Sequence, residues 1–156
     1  MKERLKENCL IIGIGNSGRQ DDGLGWAFLD EIKPLVDDNY TLEYRYQLQI
    51  EDAELLTQFS SVFFVDASKN NLQNGFKIET CKPSQNYSFS THALKPETIL
   101  YLTENLYQHQ PKAFILAIQG YEWELKIGLT AKTSQNLNKA LIHFSEFELN
   151  NCNIVL

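Results

Sequence analysis

The sequence predicts an α/β fold: one domain over residues 1–156, a three-layer sandwich with a mostly parallel, twisted sheet of about five strands and helices on both faces. Three observations predict it. Short, nearly unbroken apolar runs at Cys9–Ile14, Ser61–Val65 and Ala113–Gln119 suit strands buried on both faces of a parallel sheet. Amphipathic stretches alternate with these runs from end to end, as βαβ units require. A chain of 156 residues, 43% hydrophobic and 22% charged, can bury one ordinary core without disulfide or metal staples.

The elements follow in order. After the first strand, Leu24, Phe28, Ile32, Leu35 and Val36 recur at helical spacing, and Pro34 ends or bends that helix in its last turn. Thr41–Gln47 alternates Leu42, Tyr44 and Tyr46 with polar residues, so the second strand has a less buried face. A short helix from Glu51 to Phe59 places Ala53, Leu56 and Phe59 on one side. The third strand, Ser61–Val65, is expected to be the most buried and to stop at Asp66. Gly75–Glu79 reads as another strand behind the turn-rich 69–74 segment. Cys81–Thr91 is polar and irregular. Pro96 opens a helix carrying Ile99, Leu102 and Leu106. Ala113–Gln119 is the last strand. A terminal helix carries Leu137, Leu141 and Phe144, with Thr133 or Ser134 as its N-cap.

Composition excludes several function classes. Fourteen basic against twenty acidic side chains give a net charge of −6, a poor match to nucleic-acid phosphates. No apolar stretch approaches the roughly 20 residues that span a bilayer, and no long apolar signal-peptide core is present. Cys9, Cys81 and Cys152 are odd in number and far apart, which reads as free thiols in a reducing compartment and predicts a cytoplasmic protein. A Gly-x-Ser-x-Gly elbow, a His-Glu-x-x-His helix and a P-loop are all missing from the sequence.

Gly13-Ile14-Gly15-Asn16-Ser17-Gly18 matches the G-x-G-x-x-G pattern directly after a strand. The pattern does not make a dinucleotide site. Arg19-Gln20-Asp21-Asp22-Gly23 intervenes before the helix, and two carboxylates then stand where a pyrophosphate would need amides and positive potential. No nucleotide is expected. The same acids suit a cation. Asp21 is assigned the ordinary role of capping the helix or lining the rim, which leaves Asp22 for a ligand.

Ligands of parallel α/β sheets gather beyond the carboxyl ends of the strands. Asp22 follows the first strand and Asp66 follows the third, where a carboxylate after Val62-Phe63-Phe64-Val65 is costly unless compensated. A turn or cap at Asp66-Ala67-Ser68 explains that residue as well as a cation does. Among the histidines, His109 is expected at a solvated helix end and His143 against the apolar face of the last helix. His92 closes a polar loop and can swing over the cleft. Asp22, Asp66 and His92 would give three ligands with open positions, suited to a borderline divalent metal.

These residues resemble a known family. Gly13-Ile14-Gly15-Asn16, then Asp21-Asp22-Gly23-x-Gly25, is similar to the opening signature of the [NiFe]-hydrogenase maturation endopeptidases. Val65-Asp66-Ala67, Ser90-Thr91-His92-x-Leu94, Gln47–Ala53 and Ile127-Gly128-Leu129-Thr130 continue the resemblance, in order, across Leu10 to Phe144. The resemblance implies a cytoplasmic, aspartic-type, metal-binding endopeptidase that removes a short C-terminal extension from the hydrogenase large-subunit precursor after nickel insertion. It implies Asp22, Asp66 and His92 as the metal-contacting and catalytic residues. Many relatives have Glu where this chain has Asp22. Nickel is carried by the substrate, the partner is the precursor, and a monomer is expected, with neither nucleic acid nor membrane bound. The rival class is a non-catalytic relative that binds precursor or metal and cleaves nothing; a related endopeptidase of the same fold acting on another protein is a second rival.

Overall fold

The computed structural model describes residues 8–85 and 94–151, with side chains described as far as Glu148. Strand β1 (Cys9–Ile14) leads through a 3₁₀ turn at Gln20–Gly23 into helix α1 (Leu24–Ile32), strand β2 (Tyr40–Arg45) and helix α2 (Asp52–Leu55). Strands β3 (Ser61–Ser68) and β4 (Phe76–Thr80), helix α3 (Pro96–Tyr107), strand β5 (Lys112–Gln119) and helix α4 (Ala131–Asn151) follow. The five strands form one sheet in the order β2-β1-β3-β5-β4. Every pairing is parallel except that of β4, an antiparallel edge on β5.

Helices cover both faces, so the central strands must be apolar on both sides, and they are. Ile11, Phe63 and Val65 pack on one face with Phe28 of α1 and Leu137 and Phe144 of α4. Leu10, Ile12, Val62 and Phe64 pack on the other with Ala53, Leu56 and Ile99. Phe63 anchors the first layer, its ring 4.9 Å from both Phe114 and Phe144. Full burial of one such ring stabilises by about 1.5–3 kcal/mol, and β3 supplies two, Phe63 to this layer and Phe64 to the other.

Pro34 ends helix α1 as expected: the helix stops at Ile32 and tightens into a 3₁₀ turn over Lys33–Leu35, where Pro34 cannot donate to the α ladder. Other features differ from the sequence expectation. Strand β3 does not stop at Asp66. It runs to Ser68, because β5 extends beside it and pairs Asp66 with Ala117 and Ser68 with Gln119. Helix α4 begins at Ala131, not behind Thr133 or Ser134, and Thr130 stands before it as the acceptor for the Ser134 N–H. Ile99 is buried and Leu102 packs against the core as expected, but Leu106 is exposed, and α3 buries Thr98, Leu100 and Thr103 as well. His143 is exposed beside the Phe76 ring rather than packed in the core, and His109 is no solvated end, since its Nε2 lies 2.6 Å from the Phe59 carbonyl.

The order of the strands creates the site. From β1 the chain crosses through α1 to β2 on one side; the next crossover returns it to β3 on the other. The carboxyl ends of β1 and β3 therefore lie at the point where the connections diverge, leaving a crevice above the sheet. Among the described residues no helix is long and apolar enough to cross a membrane.

Candidate active site

The loop from Gly15 to Gly23 brings an acid over the crevice by folding back on itself. Gly15 has φ +155°, and a Cβ there would strike the Asp22 carbonyl oxygen, so only glycine permits the closure. Asn16 N–H donates to the Asp22 carbonyl at 3.0 Å, and Asp22 N–H donates to the Arg19 carbonyl at 3.1 Å. Gly25, in the first turn of α1, sits where a Cβ would lie 2.5 Å from the Ile14 carbonyl oxygen and 2.7 Å from that of Val65. The start of α1 thus rests directly on the ends of β1 and β3. The apparent dinucleotide glycines serve backbone closure, with Asp21 and Asp22 in the 3₁₀ turn ahead of the helix.

The two adjacent acids have opposite fates. Asp21 is fully buried. Its Oδ2 accepts the N–H groups of Tyr121 at 2.8 Å and Glu122 at 3.0 Å and the Thr130 hydroxyl at 2.9 Å, while Oδ1 accepts the Thr130 N–H at 2.8 Å. Burial raises its carboxyl, but the N–H groups of Thr130, Tyr121 and Glu122 outweigh that and hold it below the usual carboxylate value. Asp21 is therefore structural, as expected, yet it neither caps α1 nor lines the rim. It ties the first loop to the segment after β5.

Asp22 and Asp66 lie at the ends of β1 and β3, each partly buried and close enough for the charge of Asp22 to act on Asp66. Burial raises the Asp22 carboxyl, opposed by the positive charges of Arg19 and Lys69. Burial pushes Asp66 up to about 7, opposed by the Ala67 N–H at 2.8 Å and reinforced by the negative charge of Asp22. Asp22 consequently ionises first, and Asp66 holds its proton to near neutral pH. Two carboxyls that disfavour ionisation together gain from a bound cation, which relieves both the burial and the repulsion. Their oxygen donors fit a divalent ion, and an imidazole would make the set suitable for a borderline one.

His92 lies outside the described residues. Leu94, just after it, pairs with Leu48 in the turn behind β2, a turn ordered by Asp52, which accepts from Arg45 at 3.1 Å and from the Gln49 N–H at 2.9 Å. Among the described residues no three His, Cys, Asp or Glu side chains converge to hold a metal. Two groups that sequence reasoning passed over adjoin the acids. Gln20 is buried beside Asp21, and Trp123 packs under Lys69, whose Nζ is 5.2 Å from the ring. The only sequence signal for Trp123 was the unpatterned stretch between the last strand and last helix; for Gln20 it was its place beside Asp21 in the first loop.

An acid pair at the switch point of a five-stranded sheet is the arrangement the fold defines. Solved structures share this fold: the chain is similar to the hydrogenase maturating endopeptidase HybD from E. coli, with 17% identity, 92% of this chain and 93% of that one covered, and a TM-score of 0.74. It is likewise similar to the [NiFe] hydrogenase maturation protease HycI from Thermococcus kodakarensis, with 20% identity, 94% of each chain covered and a TM-score of 0.71. A hydrogenase 2 maturation peptidase from Thaumarchaeota archaeon SCGC_AB-539-E09 follows at 14% identity and a TM-score of 0.67, covering 94% of this chain and 100% of that one. No protein-family model and no curated protein matches the sequence. The fold of this chain is thus that of the hydrogenase maturation endopeptidases.

Proposed function

We propose that this chain is a cytoplasmic, aspartic-type hydrogenase maturation endopeptidase that removes the C-terminal extension from the nickel-loaded large-subunit precursor of a [NiFe]-hydrogenase. The observation that carries the reading is the pair Asp22 and Asp66 at the switch point, with Asp66 pushed up to about 7 by burial and by the charge of Asp22, a state that a bound cation would relieve. His92 supplies the third contact. The nickel is the substrate's cargo, so the enzyme need not bind it tightly alone. Once seated, such an ion polarises a scissile carbonyl or acidifies a water that adds across the amide bond.

That chemistry dispenses with a side-chain nucleophile, in keeping with the cysteines described. Cys9 is buried in the core, and burial with the charges of Glu97 and Glu79 pushes the Cys81 thiol up to about 12, far from a reactive thiolate. The test is gel-resolved conversion of precursor to mature large subunit, with and without nickel. Cleavage is expected for the nickel-loaded precursor only. Asp22→Asn and His92→Ala should each slow it by roughly 100-fold or more, as expected on loss of a metal contact. Ser17→Ala and Cys9→Ala should still cleave. Equal cleavage of nickel-free precursor would overturn metal-guided recognition, and full activity of Asp22→Asn would remove that residue from the site.

A further inference from the structure

We infer that the segment between β5 and α4, residues 120–130, is a docking element for a folded protein substrate, with Leu125 and Ile127 as its contacts and Gln20 and Asp21 as the positioning residues that hold it beside the acid pair. The inference rests on the endopeptidase reading and deepens it.

The segment has no regular secondary structure, yet its backbone is fastened at both ends and in the middle. Asp21 holds Tyr121, Glu122 and Thr130. Gln20 brackets Leu125: its side-chain oxygen accepts the Glu124 N–H at 3.0 Å, and its own N–H donates to the Lys126 carbonyl at 2.9 Å. To do so, Gln20 adopts a left-handed backbone, φ +49°, which costs a non-glycine residue free energy and persists only where surrounding bonds enforce it.

What this scaffold presents is apolar. Leu125 is 77% exposed and Ile127 88%, above every other large hydrophobic residue described. Such aliphatic exposure on a loose loop would mean little. On a loop fixed in advance it lowers the ordering cost of association, as protein interfaces require. The two side chains project outward and enclose nothing, whereas small-molecule sites are concave. The occupant is therefore a macromolecule, and continuity with the crevice names it as the precursor. Lys69 joins the two features, lying against Trp123 of this segment and acting on Asp22.

The experiment is steady-state cleavage of the nickel-loaded large-subunit precursor of the source organism. The double variant Leu125→Ser, Ile127→Ser should raise KM by roughly tenfold or more while kcat stays within about twofold. Ile142→Ser is the control: that residue is 63% exposed on α4, about three turns from Thr130, and its KM should not move. Gln20→Gly deletes the Glu124 anchor while easing the left-handed backbone. It should raise KM with little loss of melting temperature, which separates positioning from stability. An unchanged KM in the double variant overturns the docking inference and leaves the endopeptidase reading standing. Wild-type protein that cleaves no precursor overturns both. A concentration-dependent dimer abolished by the double variant assigns the patch to a second copy of this chain and also overturns it.

Discussion

Replacing Asp66 by Asn isolates the free energy stored in the crevice. In the folded protein this carboxyl titrates near 7 instead of near its ordinary 3.8, chiefly through burial. The native state therefore holds more protons than the unfolded chain between about pH 4 and pH 7, and stability contributed by this group falls as pH rises through that window. Taken in full, the displacement is worth on the order of 4 kcal/mol above neutrality. Residual solvent contact at the mouth of the crevice screens part of it, so about 2 kcal/mol is the working figure. Asn keeps an oxygen to accept the Ala67 N–H at similar geometry and removes the charge. Asp66→Asn should thus match wild type near pH 4 and exceed it by about 2 kcal/mol at pH 8, a rise of roughly 4–8 °C in melting temperature. Chemical denaturation of both proteins from pH 4 to pH 8 measures it directly. A difference that does not grow with pH, or an Asn variant less stable at pH 8, would refute the burial argument. The same variant should lose processing, so the stabilising change and the loss of function would coincide in one side chain.

Three further outcomes follow from the loop and the helix start that frame the crevice. Asp21→Asn replaces an acceptor of three N–H groups and a hydroxyl by a group that also donates, and it should destabilise by about 2–3 kcal/mol in urea denaturation. Because the Asp21 carboxyl is held below its usual value, its contribution is present at neutral pH and is lost on acidification through the folded value; the gap between wild type and variant should narrow at low pH. Gly25→Ala drives a methyl against two strand carbonyl oxygens that cannot yield, at 2.5 and 2.7 Å, so it should cost about 3 kcal/mol or more, read as a lower thermal midpoint.

Most of the secondary structure was legible because the central strands are buried on both faces and carry unbroken apolar runs. Cys9–Ile14 coincides with β1, and Ala113–Gln119 misses only Lys112 of β5. Misreadings fell where local patterns compete with tertiary partners. Asp66 looks like a strand terminator in isolation, but the neighbouring strand supplies pairing partners beyond it. Thr133 and Ser134 are good caps by type, yet Thr130 stands ahead of the helix, because Asp21, more than a hundred residues earlier, fixes Thr130 in place.

The sequence by itself determined the α/β class, the order of its elements and the candidate acids, because hydrophobic periodicity and the glycine-acid motif are local properties of the chain. It also singled out Asp22 over Asp21 as the free acid, on the argument that one carboxylate suffices for structure. Only the tertiary structure decided what Asp21 holds, that Asp22 and Asp66 share one crevice at the switch point, and that Asp66 keeps its proton to about 7. Those properties depend on burial and on charges brought together from distant parts of the chain. Neither exists until β1 and β3 lie side by side with α1 resting on their ends.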